Sequence, residues 1–199
     1  TNEIAVFEMK SYGLKAINEP SELFIGSLRE NPRPGAVPIA MLEGGRVLLL
    51  EVQALASRTY FPIPRRVASG IDYNRTILII AILEKRASLK LGDHDIYVNV
   101  AGGIRIEEPA SDLGVALAII SSFKDKLFPQ NFLVMGELGL GGEVRSITQI
   151  EKRVKEGIRL GFKSFIVPKE SSKSLEDIDK DVKIYFAKDI KEAIEVVFS

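Results

Sequence analysis

The apolar run L-G-V-A-L-A-I-I at residues 113 to 120, bracketed by Ser111 and Ser122, leaves no polar side, which predicts a helix over Ser111 to Ser122 buried from most directions. A second helix is predicted over about Asp72 to Leu89, where Ile77, Ile80, Leu83 and Ala87 recur at core spacing while Lys85 and Arg86 turn elsewhere. T-Q-I-E-K-R-V-K-E-G-I-R-L-G predicts a third, and D-I-K-E-A-I-E-V-V-F a terminal one. Shorter apolar runs bounded by turn residues predict strands. These are Ala36 to Leu42 and Arg46 to Ala54, joined by E-G-G-R, whose glycine pair suits the positive φ of a hairpin turn; Ile96 to Val100; two glycine-interrupted strands over Leu133 to Ser146; F-K-S-F-I-V-P; and K-I-Y-F. Residues 3 to 17 read as two short strands around a turn near Ser11 to Gly13, followed by a short helix over Asn18 to Leu28. Strands mixed with helices, two hairpins included, predict an α+β fold with mixed α/β sheets and not a purely parallel sheet.

Three prolines and a glycine in R-E-N-P-R-P-G-A-V-P, residues 29 to 38, place a boundary near residue 34, because proline confines its predecessor to extended geometry. Residues 1–33 are then a piece too small to fold alone, and 34–199 are the domain. The length of 199 residues with 46% apolar composition suits one full core plus a small appendage. With no cysteine, disulfides, thiolate catalysis and Cys-based metal sites are excluded. His94 is the single histidine, and its G-D-H-D setting reads as a polar turn and not a metal ligand. No apolar run approaches about 18 residues, and T-N-E-I-A-V-F-E is neither basic nor signal-like, so the expectation is a cytoplasmic protein with no membrane partner.

Net charge is zero, but its distribution is uneven. Residues 58 to 90 carry Arg58, Arg65, Arg66, Arg75, Lys85, Arg86 and Lys90 against Asp72 and Glu84, which is 7 − 2 = +5, leaving −5 for the rest. A polyanion feels such a patch locally and is screened from the remainder. The bland alternative is a solvated helix face with its loop.

Phosphate chemistry has no foothold here. No G-x-x-x-x-G-K-[ST] occurs, and G-E-L-G-L-G-G-E reads as a strand pair, so this chain alone is expected not to hydrolyse ATP. With no metal cluster and no Ser-His arrangement, Ser-Lys catalysis is the remaining nucleophile chemistry, which singles out Ser111.

Three stretches carry a resemblance: P-A-S-D-L-G-V-A-L-A, M-G-E-L-G-L-G-G-E-V and G-F-K-S-F-I-V-P-K-E. From Pro34 to Ser199 the order of elements resembles the proteolytic domain of Lon, implying a Lon-like fold of the ribosomal protein S5 domain 2-like type. V-F-E-M-K-S-Y-G-L-K-A-I-N-E-P-S-E-L-F, P-G-A-V-P-I-A-M-L-E-G-G-R-V-L-L-L-E-V-Q-A-L and P-R-R-V-A-S-G-I-D-Y-N-R resemble, over the whole chain, the RadA (Sms) family of bacterial DNA-repair proteins. That resemblance implies a hexameric ATP-dependent DNA helicase with a zinc-binding N-terminus, a RecA-like ATPase using ATP and Mg, and a C-terminal Lon-like domain that supports ring assembly and binds DNA. It implies that residues 1–33 are the tail of the ATPase, that the ATP, Mg and Zn sites lie outside this chain, and that the partners are DNA, further copies of itself in a homohexamer, and a recombinase.

The resemblance to Lon also poses the catalytic dyad position by position. Aligning A-G-I of the Lon nucleophile motif with L-G-V puts Asp112 in the serine's place, with Ser111 one residue early; the register from M-G-E-L puts Glu151 in the lysine's place, with Lys152 one residue late. One residue turns a helical side chain by about 100°, so Ser111 and Lys152 are not simple substitutes. Thr148 to Glu151 matches the S/T-x-x-E capping box, Asp112 suits a helix first turn, and Ser111 reads as a cap. The chain itself is expected to be non-catalytic.

The basic segment is then the stronger functional candidate. Tyr60 and Phe61 precede Arg65 and Arg66 in a loop stiffened by Pro62 and Pro64. Arg65 and Arg66, with Arg58, Arg75 and Arg86, are the expected contacts to backbone phosphates, indifferent to base sequence. Three readings stay open: a DNA-binding, ring-forming domain of an ATP-driven helicase; a Ser-Lys peptidase using Ser111 and Lys152; and a structural oligomerisation module in which Arg65 or Arg66 pairs with a neighbour's carboxylate.

Overall fold

The computed structural model describes residues 6–10, 13–17, 21, 25, 31–179 and 181–198. An antiparallel hairpin of β1 (Val6–Lys10) and β2 (Gly13–Ile17) comes first, as the apolar pattern predicts. The helix expected over Asn18 to Leu28 falls largely outside the described residues; of it, Ser21 and Ile25 are buried. A tight hairpin follows, β3 (Ala36–Glu43) and β4 (Arg46–Arg58), with Gly44 and Gly45 at φ of 53° and 78°. Both turn residues occupy the left-handed region, which only glycine enters without strain, so the E-G-G-R reading holds.

The remaining elements are β5 (Arg66–Ser69), α1 (Tyr73–Arg86), β6 (His94–Val100), α2 (Asp112–Phe123), β7 (Phe132–Val134), β8 (Glu137–Leu138), β9 (Val144–Arg145), α3 (Ile150–Arg159), β10 (Ser164–Pro168), β11 (Lys183–Ala187) and α4 (Ile190–Phe198). Seven strands form one mixed sheet in the order β11-β10-β7-β3-β4-β6-β5. The β11-β10, β10-β7, β7-β3 and β6-β5 pairs are parallel, whereas β3-β4 and β4-β6 are antiparallel. The expected α+β character with a mixed sheet is what the chain adopts.

Helices cover the sheet unequally. α1, α2 and α4 pack one face, through Ile79, Leu83, Leu117 and Ala193 against Val37, Ile39, Met41 and Leu50. α3 covers part of the other face with Ile150 and Val154, against Ala40, Leu49, Leu133 and Phe165, and Ile25 joins that second core. β3 is therefore buried on both faces, which explains its unbroken apolar run. α2 lies so close to β3 that a Cβ on Gly114 would sit 2.1 Å from Ile39 Cγ2. Over Leu55 of β4 and over β6 and β5, none of the described helices packs the second face: Leu55, Tyr97 and Val67 stand in register across the three strands, with Leu55 and Val67 exposed.

Several boundaries differ from the sequence reading. β4 runs to Arg58 because β6 pairs with it from Val52 to Arg58, a tertiary contact that local composition does not report. β5 is an unanticipated edge strand that draws Arg66 out of the loop. α1 starts at Tyr73 with Asp72 as its cap, accepting the Arg75 amide at 2.8 Å, and stops at Arg86; Ile79 and Ile82 take the buried positions beside Ile80 and Leu83, leaving Ile77 half-buried. His94 begins β6 and not a turn, its ring edge-on to Phe123. At the proposed boundary, Arg33 donates to the fully buried Glu51 at 2.5 Å, and Ser121 Oγ accepts the Gly35 amide at 2.8 Å.

Candidate functional site

The positions that resemble the Lon dyad lie at the starts of α2 and α3. A turn of 3-10 helix, Pro109–Ser111, leads straight into α2, and the Asp112 amide donates to the Pro109 carbonyl. Ser111 therefore has helical backbone, makes no capping bond, and donates its hydroxyl to the Glu108 carbonyl at 3.0 Å. The cap expected at Ser111 is thus corrected: the preceding turn already satisfies the first amide, and the Gly136 carbonyl takes the next, from Leu113.

The capping box at Thr148 is corrected too. α3 is capped by Gln149, left-handed at φ 52°, so Glu151 falls one position short of the place from which it could reach back. Glu151 is exposed and pairs with Lys155 at 2.5 Å. Lys152, also exposed, donates to the Gly45 carbonyl. Ser111 and Lys152 thus each bond elsewhere, and neither hydrogen-bonds the other.

Asp112 is 1% exposed and accepts from Arg75 through both oxygens, Nε at 2.8 Å and Nη2 more closely, while the Leu138 amide donates to Oδ2 at 3.1 Å. Burial pushes the Asp112 carboxyl above its usual range, against the Arg75 and Leu138 hydrogen bonds that favour the anion. Arg75 is held above its own usual value by the hydrogen bond to Asp112. The two shifts pull the pair in opposite directions; the two-pronged geometry with a third donor decides for the ion pair, since a guanidinium does not give up its proton in the neutral range. A cavity of about 350 Å³ opens over this pair, walled by Asp72, Arg75, Arg105, Glu108, Ser111 and Asp112.

A second brace escaped the sequence reading. Arg153 is fully buried and spans Glu108 with both nitrogens, at 2.6 and 2.7 Å, while also donating to the Ala40 and Thr148 carbonyls at 2.8 and 3.0 Å. Glu108 additionally accepts the Leu42 amide at 2.6 Å. α3, β3 and the turn before α2 are thereby tied at one point. A signal existed: Ile150, Arg153, Val154 and Gly157 form the buried stripe of α3, so Arg153 is a charge at a core position that demands a partner.

The basic segment separates into two kinds of arginine. Arg66 donates to the Arg65, His94 and Leu91 carbonyls, and Arg75 is engaged by Asp112, so both guanidiniums are committed inside the fold. Arg86, exposed on α1, donates from Nε to the Leu140 carbonyl at 3.1 Å. Arg58 and Arg65 are exposed, and Arg65 lies over the Phe61 ring at 3.8 Å, close enough for a cation–π contact. Asp95 anchors the loop by accepting the Arg65 amide at 2.7 Å. That bond holds the Asp95 carboxyl below the usual range, with the Thr59 hydroxyl and the charges of Arg65 and Arg66 adding to it. Tyr60 and Ile63, 93% and 80% exposed, extend the loop's apolar surface.

No helix among the described residues is long and apolar enough to cross a membrane, and none of their His, Asp and Glu side chains gather in a group able to hold a metal ion. Comparison with known proteins agrees with the resemblance to the RadA family. Residues 72–171 match the family model described as subunit ChlI of Mg-chelatase. The DNA repair protein RadA of Aquifex aeolicus is 46% identical over 198 residues, covering 100% of this chain and 43% of that protein. Its namesakes from Halalkalibacterium halodurans and Streptococcus pneumoniae are 43% and 42% identical, with 98% and 100% of this chain covered. The chain spans less than half the length of these relatives, 42% to 47%. By its residues 72–171 the chain belongs to the family described as subunit ChlI of Mg-chelatase, and along nearly its whole length it is a homologue of the bacterial DNA repair protein RadA.

Proposed function

We propose that this chain is the DNA-binding and ring-forming part of an ATP-dependent DNA-repair helicase of the RadA type, with a proteolytically silent Lon-like domain over residues 34–199. The observation that carries it is the exposed pair of Arg58, at the end of β4, and Arg65, on the following loop that Asp95 anchors, in a chain whose relatives are named as DNA repair proteins. Arg58, Arg65 and Arg86 make the phosphate contacts on this reading, while Arg66 and Arg75, busy with carbonyls and with Asp112, hold the loop and α1 in position. Guanidiniums on a pre-shaped loop bind backbone phosphate without reading bases, as an enzyme that moves along any sequence requires.

The silence of the Lon-like site follows from what fills it. A carboxylate at the start of α2 repels the oxyanion a peptidase must stabilise there, and Arg75 is already spent on that carboxylate. The described residues offer neither a phosphate loop nor a metal cluster. On this reading the ATP, Mg and Zn of the helicase belong to the part of the relatives' length that this chain does not span, and the cytoplasm, with a recombinase as partner, is its setting.

Alanine at both Arg58 and Arg65 tests the reading. DNA retention should weaken alike for all sequences, and the log-log salt slope should flatten by about 0.7 to 0.9 for each phosphate that is no longer neutralised. Unchanged affinity and slope in a folded variant would remove the loop from the DNA surface.

A further inference from the structure

β3, β7 and β10 are parallel neighbours, so their first residues lie at one end of the sheet. Three connections meet there: the segment 31–35 that enters β3, the segment 124–131 between α2 and β7, and the turn 160–163 between α3 and β10. Ser121 Oγ ties the first two, accepting the Gly35 amide at 2.8 Å and donating to the Lys126 carbonyl at 2.5 Å, and the Asn131 carbonyl ties the third by accepting the Lys163 amide at 3.1 Å. Among these connections lies a cavity of about 320 Å³, walled by Ile25, Pro32, Pro38, Phe128, Phe162 and the exposed Gln130. That volume is at the lower end of ordinary ligand sites, about 300 to 1,000 Å³, and suits one or two apolar side chains. The surrounding charge is positive. Segments 31–38, 124–131 and 161–164 carry Arg33, Lys124, Lys126 and Lys163 against Asp125, which is 4 − 1 = +3. Arg33 is spent on the buried Glu51, and Lys124 lies over the Phe198 ring at 5.6 Å. Lys126 and Lys163 are exposed, and neither forms an ion pair among the described residues. The acids of the 176–181 turn precede β11, two strands from β7, and the exposed Lys183 follows them there.

We propose that this cavity is a docking site for an acidic peptide segment of a partner protein, in which one or two apolar side chains fill the cavity and flanking carboxylates meet Lys126 and Lys163. An apolar anchor in a pocket supplies the affinity, and the lysines at the rim select the charge of what surrounds it. Two observations favour a peptide over nucleic acid. Phe128 and Phe162 are 6% and 3% exposed, so neither offers a ring face on which a base could stack. The walls between the two lysines are mostly apolar, whereas a nucleic-acid backbone calls for cations along its track. The proposal stands apart from the DNA reading above, because Arg58 and Arg65 take no part in it.

The probe is a synthetic peptide of alternating aspartates and glutamates ending in leucine and phenylalanine, labelled with fluorescein and titrated with the 199-residue chain while anisotropy is read. Binding should saturate and weaken as salt rises. Serine in place of the two apolar residues should weaken it more than about tenfold, and so should Lys126→Glu combined with Lys163→Glu, because like charges then face each other. Gln130→Trp, at an exposed position on the wall, should fill the cavity and weaken binding as much, with thermal unfolding confirming that each variant is folded. Alanine at both Arg58 and Arg65 should leave the peptide bound as by wild type. The proposal is overturned by a wild-type chain without saturable binding, by a serine-ended probe that binds equally well, or by a charge-reversed or Gln130→Trp variant that binds like wild type. Loss of the peptide on removing Arg58 and Arg65 would also overturn it, by moving the contact to the loop. So would a Gln130→Trp variant that keeps the peptide but loses a single-stranded oligothymidylate, because the cavity would then belong to nucleic acid.

Discussion

The cleft at the starts of α2 and α3 and the loop after β4 are both built around arginines, and they use them in opposite ways. In the cleft, Arg153 is wholly buried and Arg75 about two-thirds covered, each gripping a carboxylate with two nitrogens. At the loop, Arg58 on the end of β4 and Arg65 keep their charge in solvent, and Asp95 holds the Arg65 backbone amide and not a guanidinium. A buried pair contributes little over an apolar replacement but is costly to break, whereas an exposed cation contributes almost nothing to stability and is available to a polyanion. Arginine content alone therefore says little about where nucleic acid would bind; desolvation and pairing separate the two uses.

The hardest blow to this contrast should come from Glu108→Ala. It leaves Arg153 buried without its carboxylate and also orphans the Leu42 amide, and we expect a loss of about 3 to 5 kcal/mol in urea unfolding. A loss under about 1 kcal/mol would mean that water reaches Arg153 and that the cleft resembles the loop. Arg75→Ala comes next, at about 2 to 4 kcal/mol, because Asp112 stays buried with the Leu138 amide as its remaining donor; the solvent-reached guanidinium puts it below Glu108→Ala. Asp112→Ser in the same site should not produce peptide hydrolysis, since Lys152 is held at the Gly45 carbonyl; turnover of an unfolded protein by that variant would contradict the silent-site reading.

Ser111→Ala should cost about 0.5 to 1.5 kcal/mol, the worth of its hydrogen bond to the Glu108 carbonyl and no more. The loop should respond least in stability: Arg65→Ala is expected within about 0.5 kcal/mol of wild type while still lowering DNA retention. Its dependence on pH also has a sign. The folded Asp95 carboxyl lies below its unfolded value of about 3.9, so its contribution is fully present above that value and is lost as pH falls through the lower, folded one. Amide exchange at Arg65 should accelerate, after correction for intrinsic rates, on acidification below about pH 4, and Asp95→Asn should remove that step.

The hairpin at Gly44 and Gly45, the buried helix after Ser111 and the helical character of α3 were all legible from residue order, because each depends on local backbone freedom or on burial period. The candidate site was half legible. Asp112 and Glu151 stood at the expected helix starts, but the caps assigned to Ser111 and Thr148 did not form. A one-residue difference in where a helix begins is set by the 3-10 turn at Pro109 and by Gln149, not by composition. Arg66 and Arg75 read as members of one basic patch, and only the approach of the 91–94 segment and of α2 withdrew them from it.

Sequence alone determined most of the described elements, β5 excepted, together with the mixed α+β character, the lack of cysteine and of a G-x-x-x-x-G-K-[ST] motif, and the charge imbalance, since these are properties of neighbouring residues or of composition. Tertiary structure decided which charges face water. Glu108 meets Arg153 across 45 residues and Asp112 meets Arg75 across 37, and whether such groups are paired, and therefore spent, depends on distances that only the packed sheet and its helices create.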